Sequence, residues 1–239
     1  MGDTGRQVYG RHDRANGRNR QQQKRACCAT LRPPRAIPLQ PAMNHDPQKL
    51  LETLQEGHAR FMAGESRHPH SSSYRLRQLV EGQHPLAAVV SCSDSRVPVE
   101  LLFDAGFGDL YVVRTAGNTS FTDTIGSLDY GVLGLNLQLI VVMGHEGCGA
   151  VTAACTPQEA LTPALQDLVL NIRSGLDEEG VGSELDRAFR ANSRVAARRL
   201  LQGSELMRSR VAEGTLRIEA ACYTLQKGDI EWLGPVSAS

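Results

Sequence analysis

Two short, unbroken apolar runs dominate the hydrophobic pattern: Ala-Ala-Val-Val at 87–90 and Leu-Ile-Val-Val-Met at 139–143. Apolar runs of this length without alternation predict strands buried on both faces of a parallel sheet. These strands are placed at 86–92 and 138–144. Weaker patterns add strands at 109–114, 216–223 and, after a turn at Gly228, 230–233. Between them the period becomes helical. A helix beginning at Asp46 or Pro47 and running to about Met62 carries Leu50, Leu51, Leu54, His58 and Phe61 on one stripe. Further helices are predicted at 99–103, 122–135, 147–154, 161–174 and 184–213, with a glycine-rich break at 180–182. Residues 71–73 read as a loop and 115–118 as a turn. Strands alternating with helices predict an α/β fold with a mainly parallel central sheet and helices on both faces.

Composition divides the chain in two. Residues 1–42 are rich in Arg, Gln and Pro, with nine Lys/Arg against two Asp, a net charge of +7. They read as a disordered basic arm, with an acidic partner or RNA as its candidate docking target. Met43 opens a new register, and residues 43–239 read as one globular domain. That part carries 17 basic and 24 acidic groups, so it has no bias toward nucleic acid. The longest apolar runs are too short to span a bilayer, and the N-terminus lacks the apolar core of a secretory signal. These features predict a cytoplasmic protein. Six cysteines in 239 residues are too sparse for a disulfide scaffold, so a Cys/His cluster points to metal or catalysis.

Such a cluster follows the two strongest strands. Cys92-Ser-Asp94-Ser-Arg96 closes the first and His145-Glu-Gly-Cys148 closes the other. Ligands in open α/β sheets bind beyond the carboxyl ends of the strands. His145 and Cys148 form a compact two-donor unit, with Cys148 predicted in the first turn of the following helix. Cys92 arrives after one strand-helix-strand excursion. Two thiolates and one imidazole make a zinc site with one tetrahedral position open, the mark of catalysis rather than scaffolding. Asp94 has two available uses there. It can accept a hydrogen bond from zinc-bound hydroxide, or it can ligate zinc as a fourth donor and close the site. Arg96, two residues on, would hold the carboxylate off the metal and keep it ionised.

With these motifs in view, the chain resembles the β-class carbonic anhydrases from about residue 50 to 233. The resemblance rests on Cys-Ser-Asp-Ser-Arg (92–96), Arg-Thr-Ala-Gly-Asn (114–118), Gly-Ser-Leu-Asp-Tyr (126–130), Gly-His-Glu-Gly-Cys-Gly-Ala (144–150) and the terminal hairpin. It implies Zn2+ held by Cys92, His145 and Cys148, with Asp94 and Arg96 as the catalytic dyad. It also implies reversible hydration of CO2 to bicarbonate and a proton, through zinc-bound hydroxide. An antiparallel edge strand is expected, as is a homodimer or higher oligomer whose N-terminal helices wrap the partner. Val97 and Phe103 are expected to line a dry CO2 pocket. Two departures stand out. The segment after Asn118 lacks a substrate-positioning Gln, and Glu146 occupies a common Ser position.

Two other functions use the same residues. The zinc hydroxide could hydrolyse COS or CS2, or zinc could stabilise a non-catalytic adaptor whose basic arm recruits it to an assembly such as a carbon-fixing compartment. Taken singly, the residues have plainer readings as well. Asp94 and Arg96 make a structural ion pair, Cys155 and Cys222 pack in the core, and Cys27 and Cys28 lie exposed in the arm. His68 and His70 belong to a loop, and Arg194, Arg198 and Arg199 form a solvated helix face.

Overall fold

A computed structural model describes residues 46–157 and 160–237. The arm at 1–42, with Cys27, Cys28 and its candidate acidic partner or carbon-fixing assembly, lies outside the described residues. Five strands form one sheet: β1 (Ala87–Cys92), β2 (Leu110–Thr115), β3 (Leu139–His145), β4 (Arg217–Tyr223) and β5 (Ile230–Pro235). Their order is β2-β1-β3-β4-β5. All neighbours run parallel except β4 and β5, which pair antiparallel with a bulge between Ala220 and Ala221. Every residue of β1 and β3 is buried, as unbroken apolar runs require, whereas the edge strand β2 is half-buried.

The helices are α1 (Pro47–Met62), α2 (Ser73–Gln78), α3 (Val99–Leu102), α4 (Thr122–Gly134), α5 (Gly149–Cys155), α6 (Pro163–Glu178), α7 (Leu185–Gly203) and α8 (Glu205–Ala212). Asp46 caps α1 by accepting from Gln48 N, and Pro47 fills the first turn, where a missing N–H costs nothing. Strand alternation sorts the side chains into two layers. Ala88, Val90, Ile140, Val142, Ile218 and Ala220 meet α4 and α7 on one face. Ala87, Val89, Leu139, Val141 and Met143 meet Leu50, Leu51 and Leu54 of α1, with Val99 and Leu102 of α3, on the other. The helix predicted over 184–213 is two helices. Ser204 ends α7 in extended backbone and caps α8 by accepting from Met207 N. The loop predicted at 71–73 contains Ser72, whose hydroxyl accepts from Arg75 N and starts α2, a helix with no buried residue and hence no apolar stripe to betray it.

A buried carboxylate ties α1 to α3. Asp104 takes Arg60 Nε at 2.6 Å and the backbone N–H groups of Arg67 and His68 at 2.9 Å. Burial opposes its ionisation, but Arg60 and the two N–H groups outweigh that and hold its pKa below the usual carboxylate range. Asp104→Ala is expected to cost roughly 3 kcal/mol in urea unfolding, because it strands three donors. A folded pKa below the unfolded one gives stability that is present above about pH 4 and lost as pH falls through the folded value. The gap between parent and variant should therefore narrow in acid. A gap independent of pH would exclude this role.

The chain runs from β1 outward to β2, then crosses back over β1 to β3. The crevice between the carboxyl ends of β1 and β3 is thus the topological switch point, where open α/β sheets bind ligands. Cys92 ends β1 and His145 ends β3.

Candidate metal centre

Parallel pairing sets Ser91 beside Met143, so the two strand ends emerge together. Gly147, at φ +65°, turns the chain back so that Cys148 approaches the same point. Cys148 sits at the N-cap of α5 in extended backbone, one step before the first turn where spacing alone places it. The ligand atoms of Cys92, His145 and Cys148 all lie within 4.8 Å of one another, and all three residues are buried. The two sulfurs are 3.9 Å apart.

The histidine ring is fixed by a backbone carbonyl. His145 Nδ1 lies 2.8 Å from Glu146 O, which can only accept, so Nδ1 carries the proton. Nε2 then presents a lone pair, and it is buried with no hydrogen-bond partner among the described residues. An orphaned buried acceptor is costly. Two sulfurs and this nitrogen fit a tetrahedral zinc ion with one position left over.

The sulfurs compete for protons. Cys92 is held well below the ordinary thiol range, chiefly by the hydrogen bond from Cys148. Burial opposes this, while His145 and the N–H groups of Asp94 and Gly117 assist. Cys148 is pushed up in return, chiefly by the hydrogen bond it shares with Cys92, and further by burial and its neighbour's negative charge. The pair gives up one proton readily and holds the other, until a cation takes its place.

Asp94 and Arg96 meet as a two-pronged pair, with Nε to Oδ1 at 2.9 Å and Nη2 to Oδ2 at 2.7 Å, and Arg96 N adds a third bond at 2.9 Å. The guanidinium outweighs burial and holds the Asp94 pKa far below the usual carboxylate range. Asp94 Oδ2 is 3.8 Å from His145 Nε2, at the mouth of the centre. Arg114 secures the loop from the edge strand, donating to Cys92 O at 3.0 Å and Asp94 O at 2.6 Å.

Sequence reasoning missed the support beneath these residues. Gly117, at φ +67°, donates its N–H to Cys92 Sγ at 3.3 Å. Asn192 holds Gly117 O, and Ser193 accepts from Gly144 N at 3.0 Å. Their signal was available: two polar residues on the stripe Phe189, Ala196, Leu200 of an amphipathic helix. A Cβ on Gly144 would fall 2.3 Å from Ser193 Oγ, closer than contact allows. Gly144→Ala should therefore cost about 1–3 kcal/mol and loosen His145. Thermal denaturation checks this, and an unchanged Tm would refute the close-packing argument.

The family model described as carbonic anhydrase matches residues 87–230. Carbonic anhydrase 2 of Mycobacterium tuberculosis is 35% identical over 196 residues, covering 77% of this chain and 92% of the relative. A β-carbonic anhydrase of Coccomyxa, solved in complex with acetazolamide, shares the fold with a TM-score of 0.60 at 24% identity, over 80% of this chain and 88% of that one. The chain belongs to the β-carbonic anhydrase family. The carbonic anhydrase of Mycolicibacterium smegmatis is 37% identical over 195 residues, covering 79% of this chain and 94% of the relative. β-Carbonic anhydrases use zinc, and Cys92, His145 and Cys148 are able to hold a metal ion here.

Other residues stand as follows. Val97 and Phe103 pack into the core against α1 and α3, with 0% and 2% of their surface exposed, and are spent there rather than lining an open pocket. Glu146 faces Arg190 at 3.8 Å, and Arg190 also binds Glu231 at 2.6 Å, so one guanidinium serves both carboxylates. Cys222 is fully buried, and desolvation lifts its thiol pKa to about 12, whereas Cys155 is only partly covered. The arginines of α7 are not a free solvated face: Arg194 binds Leu233 O, Arg198 pairs with Glu179, and Arg199 binds Asn171. His70 Nδ1 pairs with Asp109 at 2.7 Å, and His68 lends its backbone N–H to Asp104, both within a loop.

Proposed function

We propose that this chain catalyses the reversible hydration of CO2 to bicarbonate and a proton, with zinc held by Cys92, His145 and Cys148 and with Asp94 and Arg96 as the catalytic dyad. The observation that carries the reading is the buried Nε2 of His145, without a hydrogen-bond partner among the described residues, gathered with two sulfurs at the switch point of the sheet, with an ionised carboxylate at its mouth. When bound, zinc supplies the Lewis acidity that lets water ionise near neutral pH.

The side chains then divide the work. Cys92 and Cys148 would contribute negative charge to a bound cation, which displaces their shared proton to solvent. His145 contributes Nε2, its ring angle fixed through Nδ1. Asp94 can only accept hydrogen bonds while ionised. It would accept a hydrogen bond from the attacking oxygen, orienting a lone pair of that oxygen toward the carbon of CO2. Arg96 occupies both Asp94 oxygens from the far side and keeps the carboxylate from swinging onto the metal. Its side chain is 56% exposed, so the dyad borders solvent, where the released proton departs.

Stopped-flow CO2 hydration by zinc-quantified protein across roughly pH 6.5 to 9 tests the reading, since the expected ionisation lies near 7. Turnover rising with pH at one zinc per chain supports it; none at any pH with zinc fully bound rejects it.

A homodimer is proposed as well, with N-terminal helices reaching across it. The outer edge of β2, with half-buried Tyr111, Val112 and Val113, supports this, because an uncovered apolar edge invites pairing. Light scattering at micromolar protein checks it. Free thiols at the centre favour a reducing compartment, in keeping with a cytoplasmic location. No helix among the described residues is long and apolar enough to cross a membrane.

A further inference from the structure

Asn192 is 3% exposed and lies on the sheet-facing stripe of α7, outside every motif that marks the centre. Its Nδ2 donates to Gly117 O at 2.9 Å and to Asn118 Oδ1 at 3.2 Å. Both acceptors belong to the turn that delivers Gly117 N–H to Cys92 Sγ. Gly117 at φ +67° and Asn118 at φ +44° occupy the left-handed region. A non-glycine residue such as Asn118 is held there only at a cost, so the turn needs an external hold. One buried amide grips it at two points.

The proposal rests on reading Cys92 as a metal ligand. We propose that Asn192 is a positioning residue for that ligand: it keeps the Gly117 N–H aimed at the Cys92 sulfur, and so sets how much charge the thiolate gives to a bound cation. An N–H donor draws electron density from sulfur. With the donor in place the cation keeps more Lewis acidity; without it, sulfur donates more and water at the cation ionises at higher pH. Groups that orient or polarise a ligand in this way commonly change metal affinity or activity by about 10–100-fold.

Cobalt(II) in place of zinc provides a direct readout, because thiolate-to-cobalt charge transfer absorbs in the near ultraviolet. Asn192→Ala is expected to retain one cobalt per chain while its charge-transfer band moves to longer wavelength. In the zinc-loaded protein the pH midpoint of hydration should rise, with kcat/KM at neutral pH falling about 10-fold. Ser193→Ala is the control. It lies in the same turn of α7 and loses the contact to Gly144 N, so it should lower Tm without moving the band.

If Asn192→Ala does not yield folded protein, Asn192→Ser is read the same way, since a hydroxyl cannot donate to both acceptors at once. A band at the parent position in whichever variant folds overturns the proposal, as does an equal shift in Ser193→Ala, which would mark general loosening. A parent that binds cobalt with no thiolate band instead overturns the reading of Cys92 as a ligand, and the proposal with it.

Discussion

His145→Ala is expected to lose metal and CO2 hydration together, leaving a folded protein with background activity. The reason lies in the donor count. Apparent zinc-binding energies of about 10–16 kcal/mol for four-ligand sites give each donor on the order of 3 kcal/mol. Removing one therefore weakens binding by about 100-fold or more, which falls within reach of a mild chelator. His145 matters more than an even share suggests, because it brings the only nitrogen of the cluster, and its ring is already oriented by Glu146 O. The two thiols that remain, 3.9 Å apart, would retain a proton between them and compete poorly for the ion. Metal content by atomic emission and stopped-flow hydration on the same preparation measure the effect. A chelator should lower the Tm of the parent but not of the variant, because a ligand bound only to the folded state stabilises it by mass action. If His145→Ala held zinc at parent stoichiometry after dialysis, the assignment of the centre would be wrong.

The parts of this centre that the sequence displays are those that interrupt a periodic pattern. Cys92 and His145 end two unbroken apolar runs, and a polar, metal-seeking residue at the carboxyl end of a buried strand stands out against Val and Ile. The same runs made the parallel core legible, since β1 and β3 are buried along their whole length. Asp94 and Arg96 could be paired from spacing because the contact is local. Asn192 and Ser193 could not, because their partners lie about 75 and 49 residues away, and nothing local fixes which face of α7 meets Gly117 and Gly144. Asp104 escaped for a similar reason: one of its three donors comes from α1, 44 residues earlier, and the other two from the loop 36 and 37 residues earlier. Ser204 was overlooked because the apolar period continues across it, and only its hydroxyl, accepting from Met207 N, divides one predicted helix into two. Val97 and Phe103 were misplaced because apolar residues near a site cannot be told from apolar residues of the core by composition.

Asp94→Ala is expected to separate binding from turnover. The variant should keep its zinc, since none of the three buried donors is touched, and should lose hydration by about 100-fold or more, the upper range for a residue that orients the reacting group. The charge state of Asp94 does not limit the parent. Its pKa is depressed by Arg96, so it is ionised above the unfolded value near 4 and stays so until pH falls through a still lower folded value. Any activity the parent loses between pH 9 and 6.5 is therefore expected to come from a group other than Asp94, with ionisation at the metal the expected source. Arg96→Ala makes the complementary case. Without the guanidinium, Asp94 Oδ2 is free to move from 3.8 Å off His145 Nε2 onto the metal's open position. That variant should show a fourth protein ligand by zinc-edge absorption, an oxygen in place of solvent, and a steeper loss of activity at low pH, where hydroxide competes less well for the ion. Asp94→Ala at full turnover would remove the dyad from the mechanism. Arg96→Ala with an unchanged ligand set at both ends of the pH range would show that something other than the arginine holds the carboxylate off the metal.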